Sequence, residues 1–173
     1  MHIRTADIED LNQLRLLFKA VAREEGGMAR TEPEITEEYI SEILKKSLAT
    51  GLMVVAEDPD DPDRLIGAIH ACKNSLKVSS HILGDLSLVV HPQFQGKKIG
   101  RTLFTIFLEE LAHNRPDVGK VELKVRENNQ KAIELYRSLG FKIEGRIEMQ
   151  IKNQSGQYEA VILMGWNNPN YEF

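Results

Sequence analysis

The run Gln95, Gly96, Lys97, Lys98, Ile99, Gly100 lies between an apolar strand at residues 85–90 and an amphipathic helix at residues 99–112. A strand that turns into a helix through glycines commits the chain to a sheet covered by helices, because the next strand must return across the helix. That strand is residues 120–125, where Val121, Leu123 and Val125 alternate with charged side chains, so a parallel βαβ unit surrounds the loop. A helix N-terminus offers backbone N–H groups with no intrahelical acceptor, and its partial positive charge suits a phosphate. Lys97, Lys98 and Arg101 add formal positive charge. The same glycines also serve a plain turn that needs positive φ, and the loop alone leaves both uses open.

The rest of the chain narrows the choice. With 173 residues, 42% of them apolar and 28% charged, it reads as one globular domain over residues 1–166 followed by a C-terminal tail at 167–173. The net charge of −4 argues against a nucleic-acid surface, which needs clustered Lys and Arg. Cys72 is the single cysteine, which excludes an intramolecular disulfide and points to a reducing cytoplasm. No apolar run approaches the ~18 residues of a membrane helix, and residues 1–7 lack the basic and apolar pattern of a signal peptide. No His, Cys, Asp or Glu spacing suits a metal, so none is expected.

Along the chain, a short strand at residues 3–5 leads to Asp7, an N-cap with Asp10 three residues on, and a helix with an apolar stripe of Ile8, Leu11, Leu14, Phe18 and Val21. Gly26 and Gly27 end it. Thr36 caps a second helix whose buried stripe is Tyr39 or Ile40, then Ile43, Leu44 and Leu48. Strands at 52–57 and 65–72 form a hairpin with an acidic, solvated tip at 58–63, and a third long strand covers 81–90. The helix after the loop has its stripe at Ile99, Leu103, Ile106, Phe107 and Leu111. Asn128 and Asn129 open a fourth helix, closed by Gly140, and strands at 141–151 and 158–166 make a terminal hairpin.

The strand ending Val90, His91, Pro92, the run Gln95, Gly96, Lys97, Lys98, Ile99, Gly100, Arg101, and the later Asn129, Gln130, Lys131, Ala132, Ile133, Glu134, Leu135, Tyr136, closed by Gly140 and Phe141, together resemble the GNAT family of acetyl-CoA-dependent N-acetyltransferases. The family's phosphate motif reads Gln or Arg, any, any, Gly, any, Gly or Ala; Gln95 and Gly100 match it, and Lys98 takes the middle Gly position. The order of elements is similar over nearly the whole chain. The resemblance implies an α/β fold, a mixed, mostly antiparallel central sheet of about seven strands with four helices on both faces. Residues 144–165 look like the branch that acetylates amino acids, polyamines or protein N-termini, although Ala160 stands where many members carry an acidic residue.

The resemblance implies acetyl-CoA as cosubstrate, with its pyrophosphate on the amides of Gln95, Gly96, Lys97, Lys98, Ile99, Gly100 and Arg101 and its pantetheine arm along Leu88, Val89 and Val90. Asn129, with Lys131, Ala132 and Tyr136 on the following helix, completes the cofactor side, while Asn129 is equally a plain helix cap. Transfer to an amine needs the free base, and a free alkyl amine with a pKa near 10.4 is protonated at neutral pH. Asp85 sits where many relatives carry a Glu facing the substrate and is the first candidate for that base, with His81 and Glu24 behind it; a strand-edge carboxylate in water is the alternative for Asp85. A strand N–H at Leu88 or Val90 is placed to stabilise the carbonyl oxygen. Tyr136 matches the family's general acid for the departing thiolate, and otherwise belongs to the apolar stripe of its helix.

His70 and Cys72 alternate on one strand and can face the acceptor pocket, but no covalent acetyl-cysteine is expected without a nearby His/Asn pattern. The chain is therefore expected to be an acetyl-CoA:amine N-acetyltransferase acting by direct transfer in a ternary complex on a small molecule or peptide. The alternative is a non-catalytic acyl-CoA sensor or interaction domain. A nucleotide kinase or hydrolase is disfavoured, since no Gly-x-x-x-x-Gly-Lys-Ser/Thr run is present. The acceptor pocket is expected from the two N-terminal helices, residues 24–36 and the final hairpin. A homodimer through the C-terminal strands fits the fold; nucleic acid and membrane are not expected partners.

Overall fold

The computed structural model describes residues 1–24 and 27–172. Seven strands, β1 (Ile3–Thr5), β2 (Leu52–Asp58), β3 (Asp61–Lys73), β4 (Ile82–Val90), β5 (Lys120–Arg126), β6 (Lys142–Lys152) and β7 (Tyr158–Asn167), form one sheet in the order β1-β2-β3-β4-β5-β7-β6. Four helices accompany them: α1 (Leu11–Ala22), α2 (Glu37–Thr50), α3 (Ile99–Asn114) and α4 (Gln130–Ser138). The pairings β1/β2, β2/β3, β5/β7 and β6/β7 are antiparallel, whereas β4 and β5 run parallel through Ile82↔Lys120 and Leu83↔Val121. The mixed, mostly antiparallel sheet and the βαβ unit are as the sequence implies. The described residues divide into two compact units, Met1–Lys73 with Ser87–Glu110, and Asn74–Leu86 with the chain from Leu111 onward.

In the first unit, α1 and α2 bury Leu14, Leu17, Phe18, Val21, Ile40 and Leu44 against Met53, Val55, Leu65 and Ala68 of β2 and β3. Asp7 accepts from the N–H of Glu9 at 2.8 Å, and Asp10 from the N–H of Asp7 at 2.9 Å, so residues 8–10 form a 3-10 turn before α1 begins at Leu11. That tighter turn shifts the helical phase. Ile8, expected in the stripe, is 51% exposed, and Leu17 is buried in its place. Thr36 Oγ1 accepts from the N–H of Tyr39 at 3.1 Å, the expected cap of α2. Leu48 is exposed where burial was expected, and the buried position in that last turn is Ser47. The last helical residue of α1 is Ala22; Gly26, expected to help end that helix, lies outside the described residues. The hairpin tip is shorter than expected, with β3 beginning at Asp61 and Asp58 buried 3.5 Å from Arg64.

In the second unit, Val121, Leu123 and Val125 are buried and the residues between them are not, the alternation expected of a half-buried strand. Ala160, Val161, Ile162, Met164 and Trp166 of β7 are also buried. Asn129 caps α4, and Gly140, at φ +95°, follows its end. β6 is the outermost strand of the sheet order, and its Ile143, Ile147 and Met149 are exposed. The segment after Asn167, expected as a tail, is anchored within this unit. Asn168 is buried and its Nδ2 donates to the carbonyl of Val118 at 2.8 Å, Asn170 Nδ2 donates to that of Ala112 at 2.9 Å, and the Tyr171 ring stacks on His81. Phe173 lies outside the described residues.

Candidate active site

In the first unit, the end of β4 leads through a turn at Pro92–Phe94 to the N-terminus of α3. Gly96 has φ +78°, and Lys98, in the motif's middle Gly position, has φ +64°. A lysine in the left-handed region costs roughly 1 kcal/mol or more, which local structure offsets when the conformation has a use. Here it turns the backbone so that the Lys98 carbonyl accepts from Thr102, at 3.0 Å from the amide and 3.1 Å from Oγ1, and α3 starts without delay. Among the described residues, none of the backbone N–H groups of residues 96–101 has an acceptor. Consecutive unsatisfied amides at a left-handed turn form an anion-binding concavity.

Lys97, Lys98 and Arg101 are exposed around those amides, and Lys97 Nζ lies 4.8 Å from the centre of the Phe94 ring. A diphosphate fits this donor set. The Gln95 amide donates to the Pro92 carbonyl at 3.3 Å, and its Nε2 donates to the Val90 carbonyl at 3.2 Å and ties the loop to the strand. Gly100 faces that strand: a Cβ on it meets Leu88 at 3.4 Å and Val90 at 3.6 Å, ordinary contacts that explain why Gly or Ala serves at this motif position. Leu88 and Val90 are half-buried, and Val89 is part of the core.

The second unit carries a cleft of about 370 Å³. Parallel pairing of β4 and β5 runs over Ile82 and Leu83; just beyond, Gly84, Asp85 and Leu86 face Glu122, Leu123 and Lys124 across the cleft, with Asn74 and Leu163 completing its lining. Asp85 has φ +51°, a conformation Asp tolerates better than most residues, and it re-aims the strand where the ladder ends. The candidate base thus lies exposed at a cleft wall.

Tyr136, on the last turns of α4, is half-buried, with its ring 6.1 Å from that of Phe141, and burial pushes its phenol above the ordinary pKa. The group is therefore a neutral phenol at pH 7, a proton donor and not a base. Asn129 Oδ1 accepts from the N–H of Ala132 at 3.2 Å, so the capping role is realised; Lys131 beside it is exposed.

His81 stacks on Tyr171 at 6.2 Å, and Glu24 is exposed at the end of α1; neither lines the cleft. His70 is buried, its Nδ1 3.5 Å from Ser47 Oγ and its ring 6.5 Å from Phe18, and Cys72 is buried as well. His91 Nε2 lies 3.2 Å from Arg64, whose guanidinium also donates to Gln93. Burial and the Arg64 charge lower the His91 pKa, so this ring is neutral. No group of His, Cys, Asp or Glu among the described residues is arranged to hold a metal. The sequence reading singled out none of Asn74, Glu122 and Lys124. The only signal of Glu122 and Lys124 was the charged positions of an alternating strand, which by pattern alone belong to any solvated face, and Asn74, just past the end of β3, carried none.

A sequence model described as the acetyltransferase (GNAT) family matches residues 14–141, well over half the chain. Spermidine N(1)-acetyltransferase of Escherichia coli is 30% identical over 84 residues, 49% of this chain and 44% of that protein. The chain spans less than half the length of the curated relatives it matches. Among solved structures, a GNAT-family acetyltransferase from Streptococcus pneumoniae has a TM-score of 0.84 at 24% identity, covering 96% of this chain and 98% of that one. The structure of yncA from Salmonella typhimurium with its cofactor acetyl-CoA has a TM-score of 0.84 at 18% identity, covering 100% of this chain and 96% of the other. At those identities the likeness is one of fold.

Proposed function

The chain belongs to the GNAT acetyltransferase family, and on that premise we propose that it transfers an acetyl group from acetyl-CoA to a primary amine by direct attack in a ternary complex. The observation that carries this reading is the set of unsatisfied amides at residues 96–101, held open by left-handed Gly96 and Lys98 at the start of α3 and ringed by three cationic side chains. Lys98 adopts the backbone conformation that the motif's glycine would supply, which favours a working phosphate loop over a degenerate one. Leu88, Val89 and Val90 of the first unit are assigned to the pantetheine arm, and Asn129, Lys131 and Ala132 of the second unit are assigned as further cofactor contacts.

The chemistry assigns one task to each remaining residue. The amine nitrogen attacks the thioester carbon, the carbonyl oxygen gains charge beside a strand N–H of Leu88 or Val90, and the C–S bond breaks. The amine's proton leaves to Asp85, directly or through water, and the departing sulfur takes a proton from the Tyr136 phenol. Burial of Cys72 supports direct transfer over a covalent acetyl-cysteine. We place the activity in the reducing cytoplasm, because a chain with one cysteine forms no intramolecular disulfide; among the described residues no helix is long and apolar enough to cross a membrane. A second copy of the chain is proposed as the neighbour of β6, whose apolar side chains are exposed at the end of the sheet order.

Calorimetric titration with acetyl-CoA, CoA and Mg-ATP, followed by thiol release with pooled amines, tests this function. Binding of acetyl-CoA and CoA but not ATP, with amine-dependent thiol release, is the expected result. Binding without release with any amine would identify a sensor, and absence of binding would remove the phosphate loop from the account.

A further inference from the structure

The lining of the cleft in the second unit carries both signs of charge. Asp85 stands on the β4 side, and Glu122 and Lys124 on the β5 side. Glu122 is matched by Lys120 at 2.9 Å, and the Lys120 ammonium also lies 2.7 Å from Glu144, so those charges are settled within the protein. Lys124 lies two residues further along β5, on the same face of the strand, and is exposed at the cleft. Among the described residues its side chain makes no ion pair or hydrogen bond, and its register partner on β7 is the apolar Leu163, which shares the cleft wall. A cation that lines a concave site, beside an apolar wall and without a protein anion, is arranged to meet an anion on the ligand.

We propose that Lys124 is a specificity-determining residue that binds a carboxylate carried by the acceptor, so that the acceptor is an amino carboxylate, such as a free amino acid, and not a polyamine. The ammonium end of such a molecule is drawn to the Asp85 side of the cleft, and its carboxylate to Lys124 Nζ. Lys124 takes no part in proton transfer. This inference rests on the acetyltransferase function proposed above.

The experiment compares three acceptor classes at saturating acetyl-CoA, free amino acids, the matched amino-acid amides and spermidine, with the wild-type chain, Lys124→Met and Lys124→Arg. The amino acids should exceed their amides by about tenfold or more in kcat/KM, the usual worth of a hydrogen bond to a charged group. Lys124→Met should remove that preference by raising KM for the amino acids while leaving kcat, and the turnover of amides, unchanged. Lys124→Arg should retain it. Preference of the wild type for amides or spermidine, or a preference untouched by Lys124→Met, would overturn the proposal while leaving the transferase intact. Thiol release with none of the three classes but with other amines would overturn this inference and leave the transferase intact, whereas no release with any amine would overturn both.

Discussion

Tyr136 is where the chemistry depends most on one side chain. Its phenol is held above the ordinary pKa by burial, so it is protonated at neutral pH and carries the proton that the proposed reaction gives to the departing sulfur. Tyr136→Phe keeps the ring against Phe141 and removes the proton: kcat should fall about 100-fold or more while the acetyl-CoA Kd stays within about twofold, read by steady-state kinetics and calorimetry. Equal turnover would take the acid role away. Because the phenol pKa is raised, kcat in the wild type should not fall through loss of this proton below about pH 10. Asp10 illustrates a charge with a structural task. Its burial works against ionisation, yet two bonds from Arg4, both 2.8 Å, and the Asp7 amide outweigh it and hold the carboxyl below the usual carboxylate range. A depressed folded-state pKa adds stability above the unfolded value near 3.9 and loses it as pH falls through the folded one. Asp10→Asn should therefore destabilise the protein at pH 7 and lose that difference progressively as pH falls below the usual carboxylate range, measured by urea denaturation across that range.

At the scale of elements, the phosphate loop makes two glycines separable. Gly96, at φ +78° with nothing within 4 Å of an added Cβ, is needed for its backbone; Gly100 is helical and has ordinary room. Gly96→Ala should cost roughly 1 kcal/mol of stability and weaken acetyl-CoA binding, whereas Gly100→Ala should leave both near wild type. The reverse order in a calorimetric comparison would contradict the assigned loop geometry. The helix caps at Thr36 and Asn129, and the capping bond of Asp7 before the 3-10 turn, were legible in the sequence because a cap is a local bond between residues two or three apart. Ile8 and Leu48 misled because burial depends on helical phase and on partners distant in the chain. The 3-10 turn moved the start of α1 to Leu11, and Ser47 rather than an apolar residue fills the place beside His70. Neither the left-handed conformation of Lys98, which departs from the motif's glycine, nor the charged cleft followed from any motif. The cleft arises where β4 and β5 cease to pair, and no short window of sequence contains both strands.

For the molecule as a whole, the order of elements and the family motifs agree, which is why the resemblance seen in two short runs extends over the full sheet. The first unit carries the proposed phosphate loop and Leu88, Val89 and Val90; the second carries Asp85, Asn129, Tyr136 and the cleft. Each set is defined by its own geometry, and the proposed activity requires both to act on one acetyl transfer. The most direct test is mass spectrometry of a reaction containing acetyl-CoA labelled in the acetyl group and a pool of amines, with free thiol counted in parallel. The account predicts labelled N-acetyl product and CoA thiol in equal amounts, both dependent on the amine and both suppressed in Tyr136→Phe. Thiol release that matches labelled acetate instead of acetylated amine, or no release from a protein that binds acetyl-CoA, would contradict it.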